Sequence, residues 1–264
     1  MADFLTMDVY YDPVRRTPAR RRSIREALAN LPAGLRAHTI NYANTGTFNI
    51  LPRPVGTCLL MAWESPDAAR AAWHGPMGSE LGGAGDYRLD GEVARARTEH
   101  AGDNWHGWRP DDKGTEPIAK DEPMVVLVHG IVRRRHLTTF LRDNVHAASR
   151  ARHHPGHRGS VDVNARPPFE NTSISIWSSR RSAQDFAYQP GGHLPAMKRA
   201  RELDTHDVGV YIASCTRRMR EPNRLGHLVA EPFLRGLLRA VGKRAPRRDV
   251  APRPERNGRS DRSR

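Results

Sequence analysis

One structural plan occurs twice in this chain, and it limits the available folds more than any other feature. Residues 57–80, TCLLMAWESPDAARAAWHGPMGSE, run through an alternating strand, a terminal Trp63, a serine turn and a short helix, and end in a Gly/Pro segment. Residues 171–197, NTSISIWSSRRSAQDFAYQPGGHLPAM, repeat the order: strand, Trp177, serines, helix, Gly/Pro segment. Superposing Trp63 on Trp177 brings Ala72 onto Phe186 and Trp73 onto Ala187. A plan recurring once per half-chain predicts a duplicated α/β unit. The halves are unequal, because only the second closes with Gly191-Gly192-His193.

The rest of the chain fills in two copies of one unit. In the first half, strands are expected over 4–11, 36–42, 57–63 and 87–96. Ser23 and Glu26 are spaced as a capping box, followed by Ile24, Ala27, Leu28 and Leu31 at helical spacing, with Pro32 and Gly34 ending that helix. Ser65, Pro66 and Asp67 announce a second helix. The second half restarts with the apolar run 124–132 (MVVLVHGIV) and continues with a helix over 136–149, whose Leu137, Phe140, Leu141, Val145 and Ala148 share one face. A strand over 171–177, helices over 182–188 and 194–203 and a strand over 207–215 complete it. The expected fold is α+β: tandem ferredoxin-like repeats, sheets face to face, as in a dimeric α/β barrel. Residues 1–99 form the first half, 100–123 a polar linker, 124–242 the second half with an amphipathic segment over 225–241, and 243–264 a tail.

Composition bears on what surrounds this core. Only 38% of the 264 residues are hydrophobic, so part of the chain is expected to stay unfolded. The tail meets that expectation, with nine Lys/Arg against three Asp/Glu and no apolar periodicity. It carries much of the formal charge of +14. Binding to nucleic acid is disfavoured, since no basic face with interleaved aromatics is present. A basic tail near an anionic membrane surface is the alternative use of that charge. Two cysteines, Cys58 and Cys215, give neither a disulfide framework nor metal-ligand spacing, and both are expected as buried thiols in a reducing compartment. No signal peptide is evident, and no apolar run reaches the roughly 18 residues of a membrane helix. The expected location is cytoplasmic, with peripheral contact to the inner membrane face through the tail.

Three constellations could carry chemistry. Val125 to Gly130 resembles a hydrolase strand with its His-Gly turn, but no G-x-S-x-G elbow follows; a buried strand ending in a partly exposed His129 is expected. His153, His154 and His157 lie in a basic stretch without carboxylate or cysteine, among Arg150, Arg152 and Arg158, so a solvated loop is expected rather than a metal site. His193 follows two glycines and opens a helix that carries Met197. It reads either as a helix-start residue facing solvent or as an imidazole presented to a haem iron beside Trp177 and Phe186. Spacing alone leaves both readings open.

Four ordered segments resemble the spheroidene monooxygenase family of carotenoid biosynthesis. They are Thr45-Gly46-Thr47 with Pro52-Arg53-Pro54 and the strand to Trp63; Arg133 to Arg142 (RRRHLTTFLR); Ser175-Ile176-Trp177; and Gly192-His193 with Ala196, Met197 and Arg199. The likeness covers most of residues 4–215. It implies a haem-dependent monooxygenase acting on an acyclic carotenoid or similar lipophilic polyene. His193 would then be the axial ligand, Trp177, Phe186 and Met197 the apolar walls, and Arg53 or Arg133 the partners of haem carboxylates. A separate protein would supply electrons, since no dinucleotide or flavin motif is present. The alternative on the same fold is a non-catalytic haem or small-ligand binding protein.

Overall fold

The computed structural model describes residues 3–12, 14–44, 56–109 and 118–215. The loop bearing Thr45-Gly46-Thr47 and Pro52-Arg53-Pro54, the segment 225–241, the tail and the Cys215 side chain lie outside them.

The repeated plan becomes repeated geometry. β3 (Gly56–Trp63) and β7 (Glu170–Trp177) each end in a buried tryptophan. Each is followed by a helix with a serine N-cap. The Ser65 hydroxyl accepts from the Ala68 amide at 3.1 Å to start α2 (Pro66–His74), and the Ser179 hydroxyl accepts from the Ser182 amide at 3.1 Å to start α5 (Arg180–Tyr188). These caps satisfy backbone donors that a helix start otherwise leaves open.

The first half adds β1 (Phe4–Tyr10), α1 (Thr17–Ala27), β2 (Leu35–Asn44), α3 (Pro76–Glu80) and β4 (Tyr87–Thr98). The second adds β5 (Met124–Val132), α4 (Leu137–Arg152), β6 (His157–Asn164), α6 (Leu194–Leu203) and β8 (His206–Cys215). All pairings are antiparallel, and the strands close into a barrel in the order β1-β3-β2-β6-β7-β5-β8-β4. Each half is a four-stranded ferredoxin-like sheet, the unit expected from sequence, with β6 as a strand the second half gains. Two seams join them: β2 meets β6 over Tyr42–Asn44, and β4 pairs first with β1 and then, beyond Glu92, with β8. Closure removes the free sheet edges that would otherwise invite aggregation.

Strand alternation sorts the core into an inside and two outsides. Met7, Val9, Cys58, Leu60, Leu127, Val163, Ile174, Val210 and Ile212 point into the barrel. On the outside of the first sheet, Leu59, Met61 and Trp63 are fully buried beneath α1 and its neighbours, with Ile24 equally buried on α1. Burial of each such side chain stabilises the fold by about 1.5–3 kcal/mol. Burial pushes the Cys58 thiol well above its usual range, so it stays protonated.

Several sequence expectations change. α1 starts at Thr17, ahead of the Ser23 capping box, because Pro18 suits the first helical turn; Ser23 instead donates to the Ala19 carbonyl at 3.3 Å. His157, read as part of a solvated loop, instead opens β6, which is held by its ladder to β7. His129 is buried rather than partly exposed. The segment taken as a polar linker sends Trp105 and Trp108 into the barrel core.

Asp8 gives the fold a pH dependence of known sign. It faces outward from β1 yet is fully buried, with the Gly85 amide donating at 3.1 Å and Arg88 only 3.9 Å away. Burial, opposed by Arg88, raises its carboxyl to about 6. A raised folded-state value means the native protein binds the proton more tightly than the unfolded chain does. This contribution is present in acid and is lost as pH rises from about 4 to about 6. Asp8→Asn is therefore expected to gain up to about 3 kcal/mol relative to wild type between about pH 4 and pH 7.5. Urea unfolding of both proteins at the two pH values measures this; a pH-independent difference contradicts it.

Candidate functional site

The Gly-Gly-His turn between α5 and α6 is built against the repeated tryptophan. Trp177 stacks on Phe186 with ring centroids 5.0 Å apart, and Phe186 stacks on His193 at 6.1 Å and 22°. His154 and His157 meet Trp177 edge-on at 5.4 and 5.3 Å, so two members of the histidine triplet belong to this aromatic wall; His153 is exposed. Gly192 is required here. A Cβ on it would lie 1.8 Å from the Phe186 carbonyl oxygen, which the His193 amide then uses as acceptor at 2.9 Å. Gly78, at the equivalent point of the first half, would meet the Trp73 carbonyl at 1.9 Å. The seat is therefore duplicated, but its next residue is Ser79 in one half and His193 in the other.

Burial lowers the His193 imidazole, opposed by Asp143, so the ring is held toward its neutral form. No hydrogen bond among the described residues occupies its nitrogens. A neutral imidazole with an uncommitted nitrogen is the state a metal ligand requires.

The outer face of the second sheet is also distinctive. β5 lies centrally in the second sheet, between β7 and β8, yet Val128 on its outer face is 43% exposed. The corresponding face of the first sheet is sealed, with Leu59 and Met61 at 0%. α6 has no buried residue, and α4 buries only Ala147 and Ala151. Leu137, Phe140, Leu141 and Ala148 share one side of α4 but are only half-buried, as are Leu194 and Met197 on α6. The helical layer of the second half thus covers its sheet less completely than that of the first, which leaves an open slot on the outer face at Val128. Ser173 and Ser175 on the outer face of β7 are small enough to keep the floor low.

A cleft of about 320 Å³ opens between α4 and α6 beside Gly192, rimmed by Arg142, Arg150 and Arg199. Asp143 pairs with Arg199 at 2.6 Å and Arg142 at 3.5 Å, and Arg150 donates to the Gly192 carbonyl at 3.2 Å. Three guanidiniums with one carboxylate leave the rim positive, which suits anionic groups of a ligand. An imidazole donor, stacked aromatic rings and a cationic rim are the groups that a flat apolar cofactor bearing carboxylates, such as haem, would use.

The residues named from sequence divide accordingly. His193, Trp177 and Phe186 come together, and Met197 lies one turn along α6. Arg133 stands apart: it pairs with Asp204 and, at 2.8 Å, with Asp207, so its guanidinium is already engaged. Arg53 lies outside the described residues. Sequence reasoning missed Arg142, Arg150 and Arg199 as a group, although Arg142 and Arg199 fall within the resembling segments. It also missed a polar cluster on the opposite face of the second sheet, where His129 and Glu170 point into the barrel mouth beside His106.

No protein-family model and no curated protein matches this chain. Solved structures do. An aldoxime dehydratase aligns over 81% of this chain and 81% of its own at 11% identity, with a TM-score of 0.54. An aldoxime dehydratase in complex with butyraldoxime aligns over 81% and 78%, again at 11% identity and a TM-score of 0.54. A monooxygenase-like protein from Listeria innocua aligns over 83% of this chain and 96% of its own at 11% identity, with a TM-score of 0.28 that carries no weight. At these identities the likeness shows the fold, and the fold is the tandem ferredoxin-like barrel.

Proposed function

We propose that this protein is a haem-dependent oxygenase, with haem held in the slot between the second sheet and helices α4 and α6. The observation that carries the proposal is His193 itself, stacked on Phe186 in a turn that admits only glycine at position 192, in the half whose outer sheet face is left open at Val128. His193 would hold the haem iron through its imidazole. Phe186 and Trp177 stack behind it and fix the plane of its ring. The arginines at the rim would pair with the carboxylates of the cofactor. When bound, haem supplies the redox centre at which O₂ is activated.

The substrate proposed is a lipophilic polyene of the acyclic carotenoid class. The apolar lining and the resemblance to spheroidene monooxygenases support it. One oxygen atom enters the substrate and the other leaves as water, with electrons from a separate donor protein. The arginine-rich tail is proposed to hold the enzyme near the membrane in which such a substrate dissolves.

Turnover with isotopically labelled O₂ tests the oxygenase assignment. Haem-loaded protein, a reductant and a micellar acyclic carotenoid are expected to give a product carrying label from O₂. Haem-loaded protein that leaves the polyene unchanged favours a haem-binding protein without this activity.

A further inference from the structure

We infer that the mouth of the barrel holds a second, independent site, for a divalent transition-metal ion of the zinc class, with His106, His129 and Glu170 as its ligands. It lies on the inner face of the second sheet, whereas the slot lies on the outer face. It would stand even if no haem binds.

The donors converge from three separate segments. His129 is the third inward position of β5 after Val125 and Leu127, and Glu170 opens the inward series of β7 ahead of Thr172 and Ile174. His106 comes from a hairpin in which Trp105 and Trp108 exchange backbone hydrogen bonds at 2.9 and 3.0 Å. Its turn has His106 at φ +49° and Gly107 at +90°. Left-handed backbone is uncommon for a residue other than glycine and costs about 1 kcal/mol or more, which the two flanking buried tryptophans sustain.

The distances suit a shared ion. His106 Nε2 lies 3.1 Å and His129 Nε2 3.9 Å from the same Glu170 oxygen, and the ligand atoms of all three residues fall within 4.8 Å of one another. Donors about 2.1 Å from one metal in tetrahedral array stand roughly 3.4 Å apart. The His129 contact is too long for a hydrogen bond, so the imidazole and the carboxylate face each other without pairing directly.

The surroundings orient the donors as an outer ligand shell does. His129 Nδ1 and the Thr172 hydroxyl are 2.9 Å apart, which leaves Nε2 free to face the carboxylate. Arg166 donates to the second Glu170 oxygen at 2.7 Å, so Oε1 remains for the ion. Two imidazoles and a carboxylate form the mixed N/O set that zinc accepts in sites with an open fourth position. The His106 side chain is 29% exposed, so an ion can arrive from solvent and retain a water.

The test uses full-length, haem-free protein and Zn²⁺ alone, in competition with a chromophoric chelator. One equivalent is expected to bind. Glu170→Gln should weaken it at least about a hundredfold, and Thr172→Val, which touches no metal, by about ten- to a hundredfold. If Glu170→Gln fails to fold by circular dichroism, His106→Ala on the exposed hairpin turn replaces it with the same expected loss. His153→Ala combined with His193→Ala should leave affinity unchanged, which separates this site from the surface histidines and from the slot. Absence of stoichiometric Zn²⁺ binding, or binding that survives both Glu170→Gln and His106→Ala, overturns the inference.

Discussion

Trp105→Ala is expected to destabilise the protein by about 3–5 kcal/mol, the cost of removing a fully buried aromatic side chain and leaving a cavity behind. Trp105 is completely buried and packs edge-on against Trp108 at 6.1 Å and His106 at 5.5 Å. Trp108 is anchored in turn, its indole donating to Asp3 at 2.6 Å. Several inward residues on the strands are small, including Ala37, Ala43 and Ala62, and the two tryptophans help fill the space left. Loss of Trp105 therefore removes filling that the strands cannot supply. It also unseats His106, so Zn²⁺ affinity should fall along with stability. Chemical unfolding followed by far-ultraviolet circular dichroism measures the first effect. A loss below about 1 kcal/mol would place the hairpin outside the barrel.

That hairpin shows where the sequence stops being readable. The duplicated strand, tryptophan and serine-capped helix are visible in the chain because alternation and capping act within a few residues. Ser65 and Ser179 could be assigned as caps without knowledge of the fold. Trp105 lies among Gly, Asp and Asn, with no periodicity to mark it. Its burial follows from barrel closure, a long-range event. β6 was hidden for a similar reason: of HRGSVDVN only Val161 and Val163 are apolar, and the ladder to β7 makes it a strand.

The candidate sites divide along the same line. The seat of His193 was legible because two glycines before a helix are a local signal, and Trp177 and Phe186 belong to the same repeat. The slot was not, because it depends on how completely α4 and α6 cover the sheet. The barrel-mouth cluster left one usable trace. His129, Glu170 and Thr172 occupy inward positions otherwise aliphatic, as Leu127 and Ile174 are, and polar groups there call for partners.

The second large effect expected is on cofactor binding. His193→Ala removes the only proposed axial nitrogen while leaving the slot and its arginine rim in place, so haem should lose its ordered ligation. His193 is half-buried at a helix start and stacks on Phe186 alone, so the fold is expected to survive its loss. Arg133→Ala, which breaks a pair with Asp204 and Asp207 outside this cluster, should leave the haem spectrum unchanged. His193→Gly supplemented with free imidazole should recover the lost band, a response that a purely structural role for His193 would not give.

The most direct test is a visible titration of the full-length protein with haem, wild type beside His193→Ala. Wild type should give a Soret band saturating at one equivalent, and the variant a collapsed or shifted band with circular dichroism unchanged. A wild-type protein that forms no such band, or a band indifferent to His193→Ala, would contradict haem ligation by His193.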